Sequence, residues 1–367
     1  MRVYLDHNAT TPLRAEARAA MGLAMDVTGN PSSVHAEGRA AKAVIERARG
    51  QVAALVGADP AEVVFCGSAT EAAAQVLAAP WSEVCWSGVE HDCIAVHAHD
   101  GWRALPVDAD GRVAIAGADM AAAGALIAVQ GANSETGVMQ DIGAVLGCAQ
   151  QRGAVALIDA VQMAGKVALD ISALPKDALW MISAHKLGGP KGVGALIVPR
   201  GFDLPGLIKG GGQEMGRRSG TENVVGIAGF GAAAEAAAQD ISAGRWEEVA
   251  ELRNILETSL EAAAKPTIFV GKGTARLPNT SCIIAPGWKG ETQVMQMDLA
   301  GFAVSAGSAC SSGKVKVSKV LQAMRLNDDQ AGSALRVSLG LETTKDEVLR
   351  FADLWQAKLR RHQDRAQ

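Results

Sequence analysis

Apolar and polar residues along the first two thirds of the chain follow a repeating order of short strands and longer helices. Short apolar runs have the length and β-branched content of buried strands, and several are followed by alanine-rich stretches: EVVFCG, ALIAVQ, VALIDAVQ, ALWMISAHK and GVGALIVPR. Buried strands that alternate with helices are typical of a mostly parallel sheet with helices on both faces. The pattern therefore predicts an α/β fold.

The pattern changes in the last third of the chain. An alanine-rich segment from Ile227 to about residue 264 contains no proline, which predicts one long helix that closes the first domain. Beyond it, LPNTSCIIAP and ALRVSLGL predict strands, and TKDEVLRFADLWQAKLRR places Val348, Phe351, Trp355 and Leu359 on one helical face. We expect a smaller C-terminal α+β domain, with the large domain at 13–258 and the small one formed by 1–12 and 259–367.

Composition and charge narrow the class of partner. Hydrophobic residues make up 49% of the 367 residues, and the formal net charge is −4 with both signs interspersed. This favours a small-molecule or protein partner over nucleic acid or an anionic membrane. The N-terminus lacks the features of a secretory signal and no run is long enough for a membrane span, so we expect a cytoplasmic protein. Six scattered cysteines without a CxxC pair fit neither disulfides nor a structural zinc site, and we expect no metal.

Two strand ends carry a candidate pair of catalytic groups. Asp159 ends the apolar run VALID with Gln162 three positions later, and Lys186 follows ALWMISAH and precedes two glycines. Carboxyl ends of strands are where open α/β sheets bind ligands. Pyridoxal phosphate enzymes need a lysine for a Schiff base and an acid against the ring nitrogen. Taken singly, Lys186 could be a solvated surface lysine and Asp159 a helix cap.

Three further stretches could serve the same site. FCGSATEAAA leads from a strand into a helix, whose first N–H groups could bind a phosphate, although a plain capped helix has the same sequence. His91 in GVEHDCIA could stack on a planar ring or move protons, whereas a lone histidine is more often structural. The run GGGQEMGRRSGTEN, which contains Thr221, is a phosphate-contact candidate or a solvated turn.

The ordered motifs of nearly the whole chain resemble those of the cysteine desulfurases, pyridoxal phosphate enzymes of fold type I and class-V aminotransferase ancestry. The motifs run from YLDHNATTP and GNPSSVHAEGR through SATE, EHD, SETGVMQDI, DAVQ, SAHK, GGGQE and RSGTEN to LPNTS, GSACSSGK and LRVSLG. The resemblance implies a large domain with a seven-stranded sheet, a small α+β domain and a homodimer.

The resemblance also implies a role for individual residues. Lys186 would hold pyridoxal phosphate covalently, His91 would stack on its ring, Asp159 would pair with the ring nitrogen and Gln162 with the phenolic oxygen. Arg336 would bind the substrate carboxylate, with Asn30 near the substrate. Phosphate contacts would come from Ala69, Thr70, Ser183 and His185, with Thr221 from the opposite subunit.

Cys310 lies in AGSACSSGK, a stretch of small residues that predicts a mobile loop. The resemblance implies that this thiol takes the sulfur of L-cysteine as a persulfide, leaves L-alanine, and passes the sulfur to an acceptor protein. The acceptor would serve iron–sulfur cluster assembly or another route such as tRNA thiolation. The sequence departs from the usual Asn-Asn-Glu at Asn133 and Ser134, so either of these could contact the cofactor.

Three other functions stay open from the sequence. A selenocysteine lyase would tolerate loss of Cys310, because selenium leaves more easily than sulfur. An aminotransferase on the same fold would need no loop cysteine and would return the amino group to a keto acid. A non-enzymatic binding module would have lost the cofactor, which the presence of Lys186, Asp159 and Arg336 argues against.

Overall fold

The computed structural model describes residues 2–115, 122–263, 267–307 and 317–366. Its strands, in chain order, are β1 (Val3–Tyr4), β2 (Val63–Cys66), β3 (Val84–Ser87), β4 (Arg103–Leu105), β5 (Leu126–Gln130), β6 (Val155–Asp159), β7 (Ala178–Ser183), β8 (Gly194–Ile197), β9 (Ile268–Phe269), β10 (Thr280–Ile284), β11 (Phe302–Ala303), β12 (Ser305–Ala306) and β13 (Ala334–Ser338). Its α-helices are α1 (Ala15–Met25), α2 (Ala36–Val56), α3 (Ala69–Leu77), α4 (Asp92–Ala95), α5 (Ile142–Arg152), α6 (Val224–Ser242), α7 (Arg245–Ala263), α8 (Gly290–Leu299), α9 (Lys319–Ala323), α10 (Asp328–Gly332) and α11 (Lys345–Ala366).

The central sheet has seven strands in the order β2-β8-β7-β6-β5-β3-β4. Strands β7, β6, β5, β3 and β4 are parallel, and β8 runs antiparallel to both of its neighbours. Every residue of β2, β5, β7 and β8 is buried, as expected for strands covered on both faces. The predicted α/β class with a mostly parallel seven-stranded sheet is confirmed.

A second, smaller sheet lies in the order β12-β13-β10-β9, and β1 pairs with β11 in parallel. The apolar core around these strands contains Val3 and Leu5 together with side chains of α7, α8 and α11. The predicted apolar face of the last helix is confirmed, because Val348, Phe351, Trp355 and Leu359 are all at most 3% exposed. An α+β unit thus follows the large sheet and takes in the N-terminal strand.

The predicted single helix after Ile227 is wrong. The chain forms α6 and α7, separated by a turn at Ala243 and Gly244, where Gly244 has a φ of 72°. A left-handed φ is readily adopted by glycine and ends a helix. Helix α7 contributes Val249, Leu256 and Leu260 to the second core although it begins at Arg245. The domain boundary at residue 258 stays a prediction.

Candidate active site

A cavity of about 190 Å³ opens at the edge of the large sheet where its parallel strands end. The segments that follow β2, β3, β5, β6 and β7 all reach it, because the carboxyl ends of strands with one direction share an edge. The cavity is lined by Ser68, Ala69, Thr70, His91, Cys93, Gln130, Ala132, Ser134, Asp159, Val161, Gln162, Ser183, His185 and Lys186. Residues predicted from separate stretches of sequence are therefore brought together.

Lys186 ends the short 3₁₀ turn Ala184–Lys186, which follows β7 directly. Its Nζ donates to the backbone oxygens of Asn8 at 2.7 Å and Ala9 at 2.9 Å. The turn is tight because Gly188 and Gly189 follow it, and the Gly189 N–H donates back to the Ala184 oxygen at 2.9 Å. The N-terminal segment thus supplies the two backbone acceptors that hold the lysine amine.

Asp159 and Gln162 lie at the end of β6 beside this amine. One Asp159 carboxylate oxygen accepts from the Val161 N–H at 2.9 Å, and the side chain is 7% exposed overall. Burial raises the pKa of Asp159, while the Val161 N–H, His91 and Lys186 act in the opposite direction. A buried carboxylate of this kind is stabilised by a cation placed against it.

The turn after β2 presents backbone N–H groups to the cavity. Ser68 caps α3 by accepting from the Glu71 N–H at 3.2 Å, and Glu71 in turn accepts from the Gly67 N–H at 2.8 Å. The N–H groups of Ala69 and Thr70 lie in the first helical turn, where the backbone offers them no carbonyl partner. This arrangement suits an anion such as a phosphate.

His185 and Ser183 extend the same polar wall. His185 Nδ1 lies 3.2 Å from the Thr10 hydroxyl oxygen. Burial, together with the charges of Lys186 and Lys191, lowers the pKa of His185 to about 4. The ring is therefore neutral near pH 7, so one of its nitrogens donates a hydrogen bond and the other accepts one.

His91 caps the short helix α4 and has a defined tautomer. Its Nδ1 accepts from the Cys93 N–H at 3.1 Å. A neutral imidazole that accepts at Nδ1 carries its proton on Nε2. His91 also lines the cavity.

Arg336 lies on β13 of the small sheet and reaches toward the cavity wall. Its guanidinium donates to the Ser134 backbone oxygen at 3.1 Å and to Asp6 at 2.9 Å, and its side chain is 2% exposed. Its Nε is a buried donor that has no hydrogen-bond partner among the described residues. A buried guanidinium with a free donor can bind a carboxylate if its present contacts are exchanged.

Of the remaining predicted residues that the structure describes, Ser134 lines the cavity and the others do not. Asn133 forms a turn, since its Oδ1 accepts from the Glu135 and Thr136 N–H groups at 2.8 Å each, and Ser134 lines the cavity instead. Asn30 is exposed on the loop before α2, away from this cavity. Thr221 lines a separate cavity of about 260 Å³ beside Arg218. Cys310 lies outside the described residues.

Several polar residues in and around the cavity were missed from the sequence. Cys93 and Gln130 line it, and the buried Glu90 accepts from the Gln130 N–H. Glu135 is half-buried next to Ser134, and the buried Lys166 donates to Gln162. Glu135 accepts from the Ser318 hydroxyl at 2.6 Å and lies close to Gly307, so it joins the two ends between which the Cys310 segment runs. Burial raises the pKa of Glu135 to about 7.

The donor set fits pyridoxal phosphate. A lysine amine, a buried carboxylate for the ring nitrogen and a helix start for the phosphate share one cavity. The turn after β2 leaves no room for a side chain at Gly194, because a Cβ there would lie 2.8 Å from the Ser68 carbonyl carbon and 2.9 Å from the Ala69 nitrogen.

Across the described ranges, no group of three His, Cys, Asp or Glu side chains could hold a metal, and no helix could span a membrane.

Comparison with known proteins gives consistent matches over almost the whole chain. The family model for aminotransferase class-V matches residues 3–351. A cysteine desulfurase of Cereibacter sphaeroides is 40% identical, with 96% of this chain and 94% of the relative covered. Cysteine desulfurase IscS of Dictyoglomus turgidum is 36% identical, with 94% and 91% covered. The solved structure of a NifS-like protein from Rickettsia africae ESF-5 matches with a TM-score of 0.88 and 31% identity, covering 97% and 99%.

Proposed function

The chain belongs to the aminotransferase class-V family, and on that premise we propose how its cavity works. The protein is a pyridoxal phosphate-dependent cysteine desulfurase, in keeping with the relatives of that name. The observation that carries the assignment of roles is that Lys186, Asp159 and His91 line one cavity beside a helix start. The alternatives of a selenocysteine lyase and an aminotransferase are not favoured by these relatives.

Pyridoxal phosphate, when bound, supplies an electron-accepting ring that labilises bonds of the substrate amino acid. We assign Lys186 as the residue that holds it covalently and Asp159 as the partner of its ring nitrogen. Gln162 and Ser134 would contact the ring oxygen. The phosphate would be held by the N–H groups of Ala69 and Thr70 and by the side chains of Ser183, His185 and, from a second subunit, Thr221.

The protein side chains then orient the substrate and move its protons. Arg336 would exchange its contacts with Ser134 and Asp6 for the carboxylate of L-cysteine, with its free Nε adding a donor. The Lys186 amine, held between the Asn8 and Ala9 oxygens, is the base placed to remove the α-proton. His91 carries a proton on Nε2 and can exchange it with groups in the cavity.

Cys310 is the proposed acceptor of sulfur. Its thiolate forms a bond to the substrate sulfur while the bond from that sulfur to the substrate β-carbon breaks, and the β-carbon then gains a proton. A proton is then returned to the α-carbon, and the products are L-alanine and a persulfide on Cys310. An external thiol or an acceptor protein then takes the terminal sulfur.

We extend the proposal to partners by resemblance to the desulfurases. The enzyme would work as a homodimer in the cytoplasm, with Thr221 serving the site of the second subunit and Asn30 near the substrate. The sulfur acceptor would be a protein, with an iron–sulfur scaffold as the first candidate and a tRNA-thiolation component as the second. No contact with nucleic acid or a membrane is proposed.

The first experiment quantifies sulfide and alanine after the holoenzyme is incubated with L-cysteine and a thiol reductant. Wild type is expected to give equal amounts of the two products, and Cys310→Ala is expected to lose activity by a factor on the order of 10³, because the nucleophile is gone. Cys148→Ala is the matched control, since Cys148 is partly exposed while the other described cysteines are buried.

The outcomes separate the candidate functions. Loss of cysteine turnover in Cys310→Ala with retained selenocysteine turnover indicates that Cys310 serves sulfur chemistry specifically. Equal turnover of L-cysteine by Cys310→Ala and wild type would refute the role of this thiol. Amino-group transfer to pyruvate without sulfide release would support an aminotransferase instead.

A further inference from the structure

Lys166 is a buried amine beneath the cavity, and none of the roles above uses it. Its side chain is 3% exposed, and none of the ion pairs among the described residues includes it. Instead, Nζ donates to two amide oxygens, Gln162 Oε1 at 2.7 Å and Asn8 Oδ1 at 3.0 Å. Burying an amine without a carboxylate partner costs free energy of folding. A lysine kept at such a position beneath the cavity is therefore a candidate for a functional role.

The contact with Gln162 determines which end of that amide faces the cavity. The Lys166 amine donates to the Gln162 oxygen, and the Asn8 backbone oxygen, which can only accept, meets the Gln162 nitrogen, so both contacts favour the same orientation of the amide. The Gln162 nitrogen therefore lies on the opposite side, where it donates to the Asn8 backbone oxygen at 3.1 Å and borders the cavity. Loss of Lys166 would remove one of the two contacts that favour this orientation of the amide.

Asn8 connects the same amine to Lys186. The Asn8 backbone oxygen accepts from both Gln162 Nε2 and Lys186 Nζ, and its side-chain oxygen accepts from Lys166 and from Asn279 at 3.1 Å. The amide of Asn8 is fixed further by its donation to the Thr280 hydroxyl at 2.9 Å. Lys166 thus holds two of the groups that surround the reactive lysine.

The turn that carries Lys166 packs directly against the turn that carries Lys186. Gly165 has a φ of 78°, and a Cβ there would lie 2.9 Å from the Leu187 Cβ. This close approach brings the Lys166 side chain under the cavity floor. The charged groups that face it are Lys186 and Arg336, with His7 nearby on the N-terminal segment.

We propose that Lys166 is a positioning residue that keeps the Gln162 amide nitrogen turned toward the cavity as a hydrogen-bond donor to the cofactor's ring oxygen. The inference rests on the proposed function, because the partner of Gln162 is the pyridoxal ring. Burial and the charges of Lys186 and Arg336 lower the pKa of Lys166. Two N–H groups, which the amine keeps in either protonation state, suffice for both contacts.

The test is a pH titration of the visible absorbance of the bound cofactor in the holoenzyme. Lys166→Met keeps an unbranched apolar side chain and removes the donor. A hydrogen bond from Gln162 stabilises the deprotonated form of the cofactor's ring oxygen and so favours loss of the proton that the absorbance reports. Without that hydrogen bond the proton is held more tightly, and the midpoint of the absorbance change is expected to rise by roughly one pH unit. Lys345→Met, which removes an exposed lysine at the start of α11, is the matched control and should leave the midpoint unchanged.

A double-mutant cycle shows whether Lys166 acts through Gln162. In a Gln162→Leu background the amide is gone, so Lys166→Met should shift the midpoint no further. If Lys166→Met does not fold, Lys166→Gln is titrated in its place, because its shorter side chain cannot keep the 2.7 Å contact and the same upward shift is expected.

Three results would overturn the inference. An unchanged midpoint in a folded Lys166 variant that binds cofactor and cleaves cysteine would refute it and leave the proposed function intact. An equal shift in the presence and absence of Gln162 would show that Lys166 acts by another route. A wild-type protein that binds no pyridoxal phosphate would refute both the proposed function and this role.

Discussion

Glu90 shows at the residue scale how a buried carboxyl next to a predicted site residue escapes a motif-based prediction. Its Oε1 accepts from the Ser87 hydroxyl and, at 2.8 Å, from the Gln130 N–H, while its Oε2 is buried with no hydrogen-bond partner among the described residues. Burial, with the nearby charge of Asp159, raises the pKa of Glu90 to about 8. The sequence EHD indicated a role for His91 and gave no sign that the glutamate was buried.

This carboxyl should make stability depend on pH. The folded protein holds the Glu90 proton more tightly than the unfolded chain, so Glu90 favours folding at low pH, and that contribution is lost as the pH rises from about 4.5 to about 8. Relative to wild type, Glu90→Gln should gain about 1–3 kcal/mol on going from pH 5 to pH 8.5.

Urea unfolding at the two pH values, with the same saturating pyridoxal phosphate, measures this difference. Glu16→Gln on exposed α1 is the control and should show no such pH dependence. A difference between Glu90→Gln and wild type that does not change with pH would contradict the prediction.

Residue types with a fixed chemical use were the predictable part of the site. Asp159 and Lys186 stand at strand ends, and the strand pattern alone brought them to one sheet edge. Asn8 was missed because its partners Gln162, Asn279 and Thr280 lie 154, 271 and 272 residues away in the sequence. Lys166 was missed because one of its two partners, Asn8, lies 158 residues away. Burial of a lysine depends on such distant packing, which local sequence does not encode.

Strand β8 is the element that supports the proposed phosphate turn. Gly194 pairs with both Cys66 and Ser183, so it lies between two segments that line the cavity. A Cβ at this position would meet backbone atoms of Ser68, Ala69 and Ile182 at 2.8 to 3.0 Å. Backbone atoms in a paired sheet cannot move aside cheaply.

Gly194→Ala should therefore displace the turn after β2, whose N–H groups are proposed to bind the phosphate. The affinity for pyridoxal phosphate should fall by about tenfold or more, equivalent to about 1.4 kcal/mol. Titration of the apoprotein with the cofactor, followed by absorbance, measures the Kd. Gly147→Ala in α5 is the matched control, because a Cβ there meets nothing within 4 Å and alanine favours a helix. Equal Kd values for the two variants would contradict the prediction.

Elements with strong periodicity were predictable, whereas their ends were not. The strands of the large sheet and the face of α11 follow directly from apolar spacing. The break between α6 and α7 was missed because alanine-rich composition extends through Ala243, and only the left-handed φ of Gly244 ends the helix there. Helix propensity is a weak guide where one glycine turn decides between two packings.

Among the described residues, apolar packing forms two main bodies: the clusters on the two faces of the large sheet, and a second body around the small sheet to which Val3 and Leu5 of the N-terminal segment belong. Trp355 is fully buried in the second one, and its ring packs at a tilt against Trp288 with 5.6 Å between the ring centroids. Its Nε1 donates to Gln293 at 2.9 Å. Its replacement would leave both a large void and an unpaired amide oxygen.

Trp355→Ala should cost about 3–5 kcal/mol of the free energy of unfolding of the small domain. The cofactor absorbance at low temperature should persist, because Trp355 does not line the cavity. Urea unfolding followed by far-UV circular dichroism, with absorbance read in parallel, tests both points. Trp102→Ala, at a partly exposed position, should cost less, and equal costs would contradict the assignment.

The pairing of β1 with β11 has a consequence for how the chain folds during synthesis. Val3 has its sheet partner at Phe302, and Asn8, which holds Lys186, bonds to Thr280 and Ser338. At 5–20 residues per second, the ribosome needs roughly 15–60 s to make the intervening stretch. Strand β1 therefore stays unpaired until β11 has been synthesised. The contacts that fix Asn8 against Lys186 form only when synthesis is nearly finished, because they need Thr280 and Ser338.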